Sequence, residues 1–203
     1  MENLEIEYKV MVSKEDFELL LSKMGEDFHF YEQINYYYDT KKRKINSQGM
    51  SLRIRHILNE NKYLVTLKVK EEKGKREYED YVEENDAKYL PESIVSILIL
   101  NKINPKNIEN IGKLKTIRKE FYQDGLVICF DHNYYYDIED YEIECEGPSM
   151  EVARSILVSL LNKYNIKFEQ SKDSKQKRAL KRKELLWKRN GFYMQLVFFQ
   201  ECQ

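Results

Sequence analysis

The sequence predicts one α+β domain whose strands close into a barrel around a charged interior. Three observations point there. Several stretches alternate apolar and charged residues with the period of two that a half-buried strand requires. Their charges are sorted by strand, acids on some and bases on others. Amphipathic helical stretches punctuate them, and no low-complexity linker divides the 203 residues, a length that can bury a real core.

The first strand, "MENLEIEYKV", sets Glu5, Glu7 and Lys9 on one face, with Leu4, Ile6, Tyr8 and Val10 between them. On most such strands the charged face simply meets water, so this one gains meaning only from the others. A helix follows: Ser13 can cap it, Asp16 holds the capping-box position, and Phe17, Leu20, Leu21 and Met24 fall at helical spacing. A strand-rich block comes next, with "INYYYDT", "SLRIRHIL", "YLVTLKVK" and, after the turn "EEKGK", "REYEDYVEE". A helical stretch around Ala87 to Lys102 interrupts, with Pro91 near its start and Asn104-Pro105 closing it. Strands resume as "KLKTIRKEFY", "GLVICFDH" and "DYEIECE", with an Asp124-Gly125 turn. Ser149 then caps a helix bearing Val152, Ala153, Ile156, Leu157, Leu160 and Leu161.

From Lys172 to Arg189 nine Lys or Arg stand against Asp173 and Glu184, which reads as a solvated basic helix, with an RNA-facing patch as the minority reading. The last segment, "GFYMQLVFFQECQ", is apolar and aromatic without a period; a closing strand, a docking tail and a partner contact all fit it.

Composition narrows the function classes. With 42% hydrophobic and 34% charged residues and a net charge of -1, nothing global calls for nucleic acid or an anionic membrane. No apolar run approaches membrane-spanning length, the longest being "IVSILIL", and the first residues lack a basic leader, so a cytoplasmic location is expected. Cys129, Cys145 and Cys202 form no CxxC pair, and His29, His56 and His132 stand alone, so none is assigned chemistry. The seven glycines include neither GxxxxGK nor GxGxxG; phosphate, if bound, must be held by side chains.

Compared across strands, the charged faces carry Arg53 and Arg55; Thr66, Lys68 and Lys70; Glu77 and Glu79; and Glu142, Glu144 and Glu146. The opposite faces carry Leu52 and Ile54; Val65, Leu67 and Val69; and Ile143 and Cys145. An open sheet gains nothing from like charges at i and i+2. A closed one, with its apolar face packed under helices, gathers the acids and bases into one interior, where unpaired charge is costly. Such an interior suits a phosphate chain chelated to a divalent cation: carboxylates hold a hard ion, and arginine forks and lysines meet phosphate oxygens.

These residues carry a resemblance to a family. "EIEYK" resembles the ExExK signature of the CYTH superfamily, the triphosphate tunnel metalloenzymes. The likeness continues through "YYYDT", "LRIR", "LKVK", Arg118 in "TIRKEFY", Asp131 in "CFDH", "EIECE", and "SKQKRAL" with Ser174, Lys175 and Arg178. It implies a closed eight-stranded antiparallel barrel with flanking helices over residues 1–186, leaving 187–203 as a C-terminal tail without counterpart.

The resemblance further implies a metal, Mg²⁺ or Mn²⁺, ligated by Glu5, Glu7, Glu142 and Glu144, with Asp131 and Glu146 as additions. It implies phosphate contacts from Lys9, Arg53, Arg55, Lys68, Lys70, Arg118 and Lys175, with Lys172 available beside the last. Glu77 and Glu79 could face the tunnel or pair with bases. The expected reaction is metal-dependent hydrolysis of a linear triphosphate, inorganic tripolyphosphate before the others, with Glu144 or a neighbouring carboxylate accepting the proton of the attacking water and Lys9 or Arg53 meeting the leaving phosphate. A class IV adenylyl cyclase, a thiamine or nucleoside triphosphatase, and a polyphosphate- or nucleotide-binding module are the alternatives. The expected partner is thus a small triphosphate, with the oligomeric state, monomer or homodimer, left open.

Overall fold

The computed structural model describes residues 2–200, with side chains over 2–189. Ten strands form it: β1 (Glu2–Glu5), β2 (Glu7–Val12), β3 (His29–Thr40), β4 (Met50–Ile57), β5 (Lys62–Lys70), β6 (Lys75–Val82), β7 (Ile108–Gln123), β8 (Leu126–Tyr135), β9 (Ile138–Glu146) and β10 (Glu169–Gln170). They make one antiparallel sheet in the order β1-β6-β5-β4-β3-β7-β8-β9-β2-β10.

The sheet curls. β1 and β2 are one extended segment broken at Ile6, and its halves pair at different ends of the sheet: Glu5 opposite Lys75 on β6, Glu7 opposite Glu146 on β9. The Gly147 N–H donates to the Ile6 carbonyl across 3.1 Å, so the break is held by β9's exit. The expectation of a closed eight-stranded barrel is therefore met in coarser form, as a curled antiparallel sheet of ten strands. The two extra strands come from the break at Ile6 and from the two-residue β10, which sequence pattern cannot signal.

Helices cover the outer face. α1 (Lys14–Leu21) is capped by Ser13, whose Oγ accepts from Asp16 N, and α4 (Met150–Lys163) by Ser149, whose Oγ accepts from Val152 N. Phe17 and Leu20 of α1 and Ala153, Leu157 and Leu161 of α4 bury Val10, Phe130, Ile143 and Cys145, the apolar faces of β2, β8 and β9. After the four-residue α2 (Lys44–Ser47), α3 (Glu92–Leu100) lays Ile94 and Leu98 on Leu52, Ile54, Val65 and Leu67 of β4 and β5. The helical stretch expected from Ala87 is divided, because Pro91 caps α3 and leaves only a 3₁₀ turn, Ala87–Tyr89, before it. Asp124 and Gly125 both take positive φ, 51° and 76°, as a tight β7–β8 hairpin requires.

α5 (Lys175–Gln200) crosses the sequence boundary at residue 186 without interruption. Beyond residue 189 the proposed roles of the tail concern side chains that lie outside those described. The cations of its first turns are less solvated than expected: Arg178 pairs with Asp140 and Glu142, and Arg182 with Asp137.

Gly74, in the β5–β6 turn, lies against β1. A Cβ there would come within 2.4 Å of the Glu5 carbonyl oxygen, a backbone atom that cannot swing aside. Gly74→Ala is expected to destabilise the fold by about 1–3 kcal/mol, the range for overpacking a filled site, as read by chemical denaturation.

Candidate functional site

The period of two that buries Leu52 and Ile54 under α3 turns Arg53 and Arg55 to the concave side, and the same parity turns Lys68 inward from β5 and Glu144 inward from β9. The result is a cavity of about 690 Å³. Glu5, Glu7, Lys9, Arg53, Arg55, Lys68, Lys70, Arg118, Glu144, Glu146 and Lys175 all line it. Glu77 and Glu79 line it too, and they also pair: Glu77 with Lys68, while Glu79 accepts from Thr66 Oγ1 at 2.7 Å. Of the expected site residues, only Asp131 and Glu142 are absent from the lining; both are fully buried behind it.

That floor is held by cations. Arg118 grips Asp131 in a two-pronged pair, Nε–Oδ1 and Nη2–Oδ2 each 2.6 Å, and reaches Glu144 Oε2 at 2.6 Å. The Lys175 ammonium sits among Asp131, Glu142 and Glu144 at 2.7, 2.9 and 2.6 Å. Burial alone would raise the Glu144 pKa, but Lys175, Lys9 and Arg118 outweigh it and hold Glu144 well below the carboxylate range. Lys172, the alternative to Lys175, is exposed.

At the mouth, Glu5 and Glu7 meet three lysines. Lys68 reaches Glu5 at 2.7 Å, Lys9 reaches Glu7 at 2.6 Å, and Lys75 spans both, 2.7 Å from Glu7 and 3.4 Å from Glu5. Burial pushes Glu5 up, yet Lys68 and Lys75 bring it far down. Glu146 differs. Among the described residues no cation pairs with it, and burial together with Glu5 and Glu144 pushes its pKa up to about 7.

On the basic wall Arg53 donates to Thr66 Oγ1 at 3.1 Å and Arg55 to Asn35 Oδ1 at 3.2 Å, with the Glu79 carboxylate acting on Arg55. The Arg53 Nε is buried without a hydrogen-bond partner. Burial, with Arg53 and Arg118 nearby, lowers the Arg55 pKa to about 10. Two neighbouring guanidinium groups on a cavity wall, one with a buried Nε lacking a hydrogen-bond partner, suit an anion.

Two groups of three carboxylates approach within 4.8 Å: Glu5, Glu7 and Glu146, and Asp131, Glu142 and Glu144. The second is already filled by the Lys175 ammonium and has two members behind the cavity wall. The first opens on the cavity and includes the uncompensated Glu146, so its all-oxygen donor set fits a hard divalent ion better.

Lys75 was not singled out from the sequence. Its turn, "EEKGK", hides it, although it shares parity with Glu77 and Glu79 and could have been read with them. Arg178, noted only within "SKQKRAL", joins Asp140 at 2.9 Å and Glu142 at 2.5 Å and so fastens α5 to β9.

Fold and site together define a charged-cavity protein of one antiparallel sheet, with an acidic wall and a basic wall facing each other. A family model for the CYTH domain matches residues 3–179. The chain is 30% identical to a candidate triphosphatase, YjbK of Bacillus subtilis (strain 168), over 177 residues, 85% of this chain and 92% of that protein. A candidate adenylate cyclase from Bacillus halodurans superposes with a TM-score of 0.75 at 32% identity, over 86% of this chain and 97% of the other. HpAC1 of Hippeastrum, a candidate adenylyl cyclase with a dominant triphosphatase activity, shares the fold at a TM-score of 0.68 and 22% identity, over 85% and 93% of the two chains. The chain belongs to the CYTH domain family.

Arg118→Met strips Asp131 and Glu144 of their buried guanidinium. Removing one partner of such a network is expected to destabilise the fold by about 3–5 kcal/mol, measured by urea unfolding.

Proposed function

We propose that this protein hydrolyses a linear triphosphate, inorganic tripolyphosphate before nucleotides, in a divalent-metal-dependent reaction inside a tunnel completed by the strand that breaks at Ile6. The observation that carries the reading is that the guanidinium groups of Arg53 and Arg55, with Lys68 and Lys70, line the same cavity as a carboxylate group, Glu5, Glu7 and Glu146. Membership of a family with a candidate triphosphatase at 30% identity supports it.

Arg53 and Arg55 hold the phosphate chain as forks, with Lys68 and Lys70 adding point charge from the neighbouring strand. Glu5, Glu7 and Glu146 would hold the ion, Mg²⁺ or Mn²⁺, which supplies Lewis-acid neutralisation of phosphoryl oxygens when bound. Lys9, between Glu7 and Glu144, stands where it can transfer from carboxylate to phosphate oxygen. Glu144 is a weak base while Lys9, Lys175 and Arg118 surround it. Phosphates that draw Lys9 and Lys175 away leave it Arg118 alone and return basicity to it, so that it takes the proton of the attacking water. The lining supports a preference for tripolyphosphate: among the described residues Tyr37 is its one aromatic side chain, and it is buried.

The test is orthophosphate release from tripolyphosphate, ATP and thiamine triphosphate in parallel, with Mg²⁺, with Mn²⁺ and with chelator. Fastest release from tripolyphosphate, abolished by chelator, is expected; cyclic AMP and pyrophosphate from ATP would assign a cyclase instead, and metal-independent tripolyphosphate binding without turnover a binding module. Arg53→Ala should lower kcat/KM about 10²–10³-fold, as loss of a preorganised charge does. Glu5→Gln should abolish turnover in a protein whose thermal unfolding stays cooperative.

A further inference from the structure

Three lysines contact the Glu5–Glu7 pair, and they are not equivalent. Lys9 has a second acidic partner in Glu144, and Lys68 has one in Glu77. Both are 18% exposed. Among the described residues Lys75 pairs with Glu5 and Glu7 alone, and it is 38% exposed, at the first residue of β6 beside the glycine turn. It shares Glu7 Oε1 with Lys9, and it shares Glu5 with Lys68 through the other oxygen. The Lys75 ammonium thus bridges one oxygen of each carboxylate, Glu5 Oε2 and Glu7 Oε1, and all three residues line the cavity.

We propose that Lys75 is a built-in counter-cation of Glu5 and Glu7, displaced when a divalent ion binds and thereby released toward the phosphate chain. The inference rests on the metal reading above and adds to it a residue that sets how tightly metal is held. Without an ion, the ammonium keeps two close carboxylates charged and apart from repulsion, which preserves the site. With an ion, the same ammonium loses its partners inside a cavity whose basic wall already seeks an anion. Metal binding therefore strengthens anion binding, and by linkage the anion strengthens metal binding equally. Lys9 and Lys68 do not serve this purpose, because each retains an acid after leaving Glu7 or Glu5.

The experiment is Mn²⁺ binding, followed by electron paramagnetic resonance and calorimetry without phosphate, to the wild type, Lys75→Met and Lys70→Met. Lys70 stands opposite Lys75 in the β5–β6 register and has no acidic partner among the described residues, so it controls for loss of charge alone. Lys75→Met is expected to bind Mn²⁺ at least about tenfold tighter than the wild type, and Lys70→Met to gain no more than about twofold. Equal gains in the two variants, or none in Lys75→Met, would overturn the displacement. Absence of Mn²⁺ binding in all three would overturn the metal reading itself, which separates the two failures. A second measurement needs no variant: acylation of Lys75 in the wild type, read by mass spectrometry, should quicken several-fold on adding Mg²⁺. An unchanged rate, with Mg²⁺ binding shown by calorimetry, counts against release.

Discussion

Charge withdrawn from water must be answered by charge, and that requirement organises this molecule. Arg118 is its clearest instance: one buried guanidinium satisfies Asp131 on β8 and Glu144 on β9 and touches Glu120 on its own strand. Three neighbouring strands are thereby pinned in register from the inside. Since the concave face is given over largely to ions, the two larger apolar clusters lie on the convex face under α1, α3 and α4, while a smaller one joins Tyr37, Leu114 and Tyr135 to Ala179 of α5. The architecture is an inside-out arrangement for a sheet, with an oily exterior under helices and an ionic lumen.

The lumen is polarised. Its β9 side balances acids with lysines and arginines to near neutrality, while its β4 side presents Arg53 and Arg55, hydrogen-bonded to Thr66 and Asn35. A polyanion entering such a space meets its strongest attraction at the β4 side. That asymmetry is a property of the charge layout rather than of any single residue.

Much of this was legible in the residues. Alternation identified the inward members of β4, β5 and β9 correctly, because a one-residue slip would have buried arginine under α3. Ser13 and Ser149 announced their helices because a hydroxyl one turn ahead of an apolar stripe satisfies free backbone donors. Depth was not legible: Glu142 has the same parity as Glu144, and Asp131 stands opposite Glu142 in the β8–β9 register, yet both lie behind the wall, since distance from the lumen depends on strand tilt and curl. Nor could the basic run of α5 disclose its partners, because Asp140 and Glu142 are brought to Arg178 by tertiary packing alone. The break at Ile6 escaped for a similar reason: an uninterrupted alternating segment gives no sign that its halves serve different neighbours.

That break bears on how the molecule is made. The segment carrying Glu5 and Glu7 lies far in sequence from β9, with which its second half pairs, Glu7 standing opposite Glu146. Pairings of such long sequence separation form slowly, since the loop between them must be ordered first. Until then the half bearing Glu7 and Lys9 remains an unpaired edge, and its charges discourage the self-association that an apolar edge would invite. Residues that give the cavity its chemistry thus also guard the chain until that pairing forms.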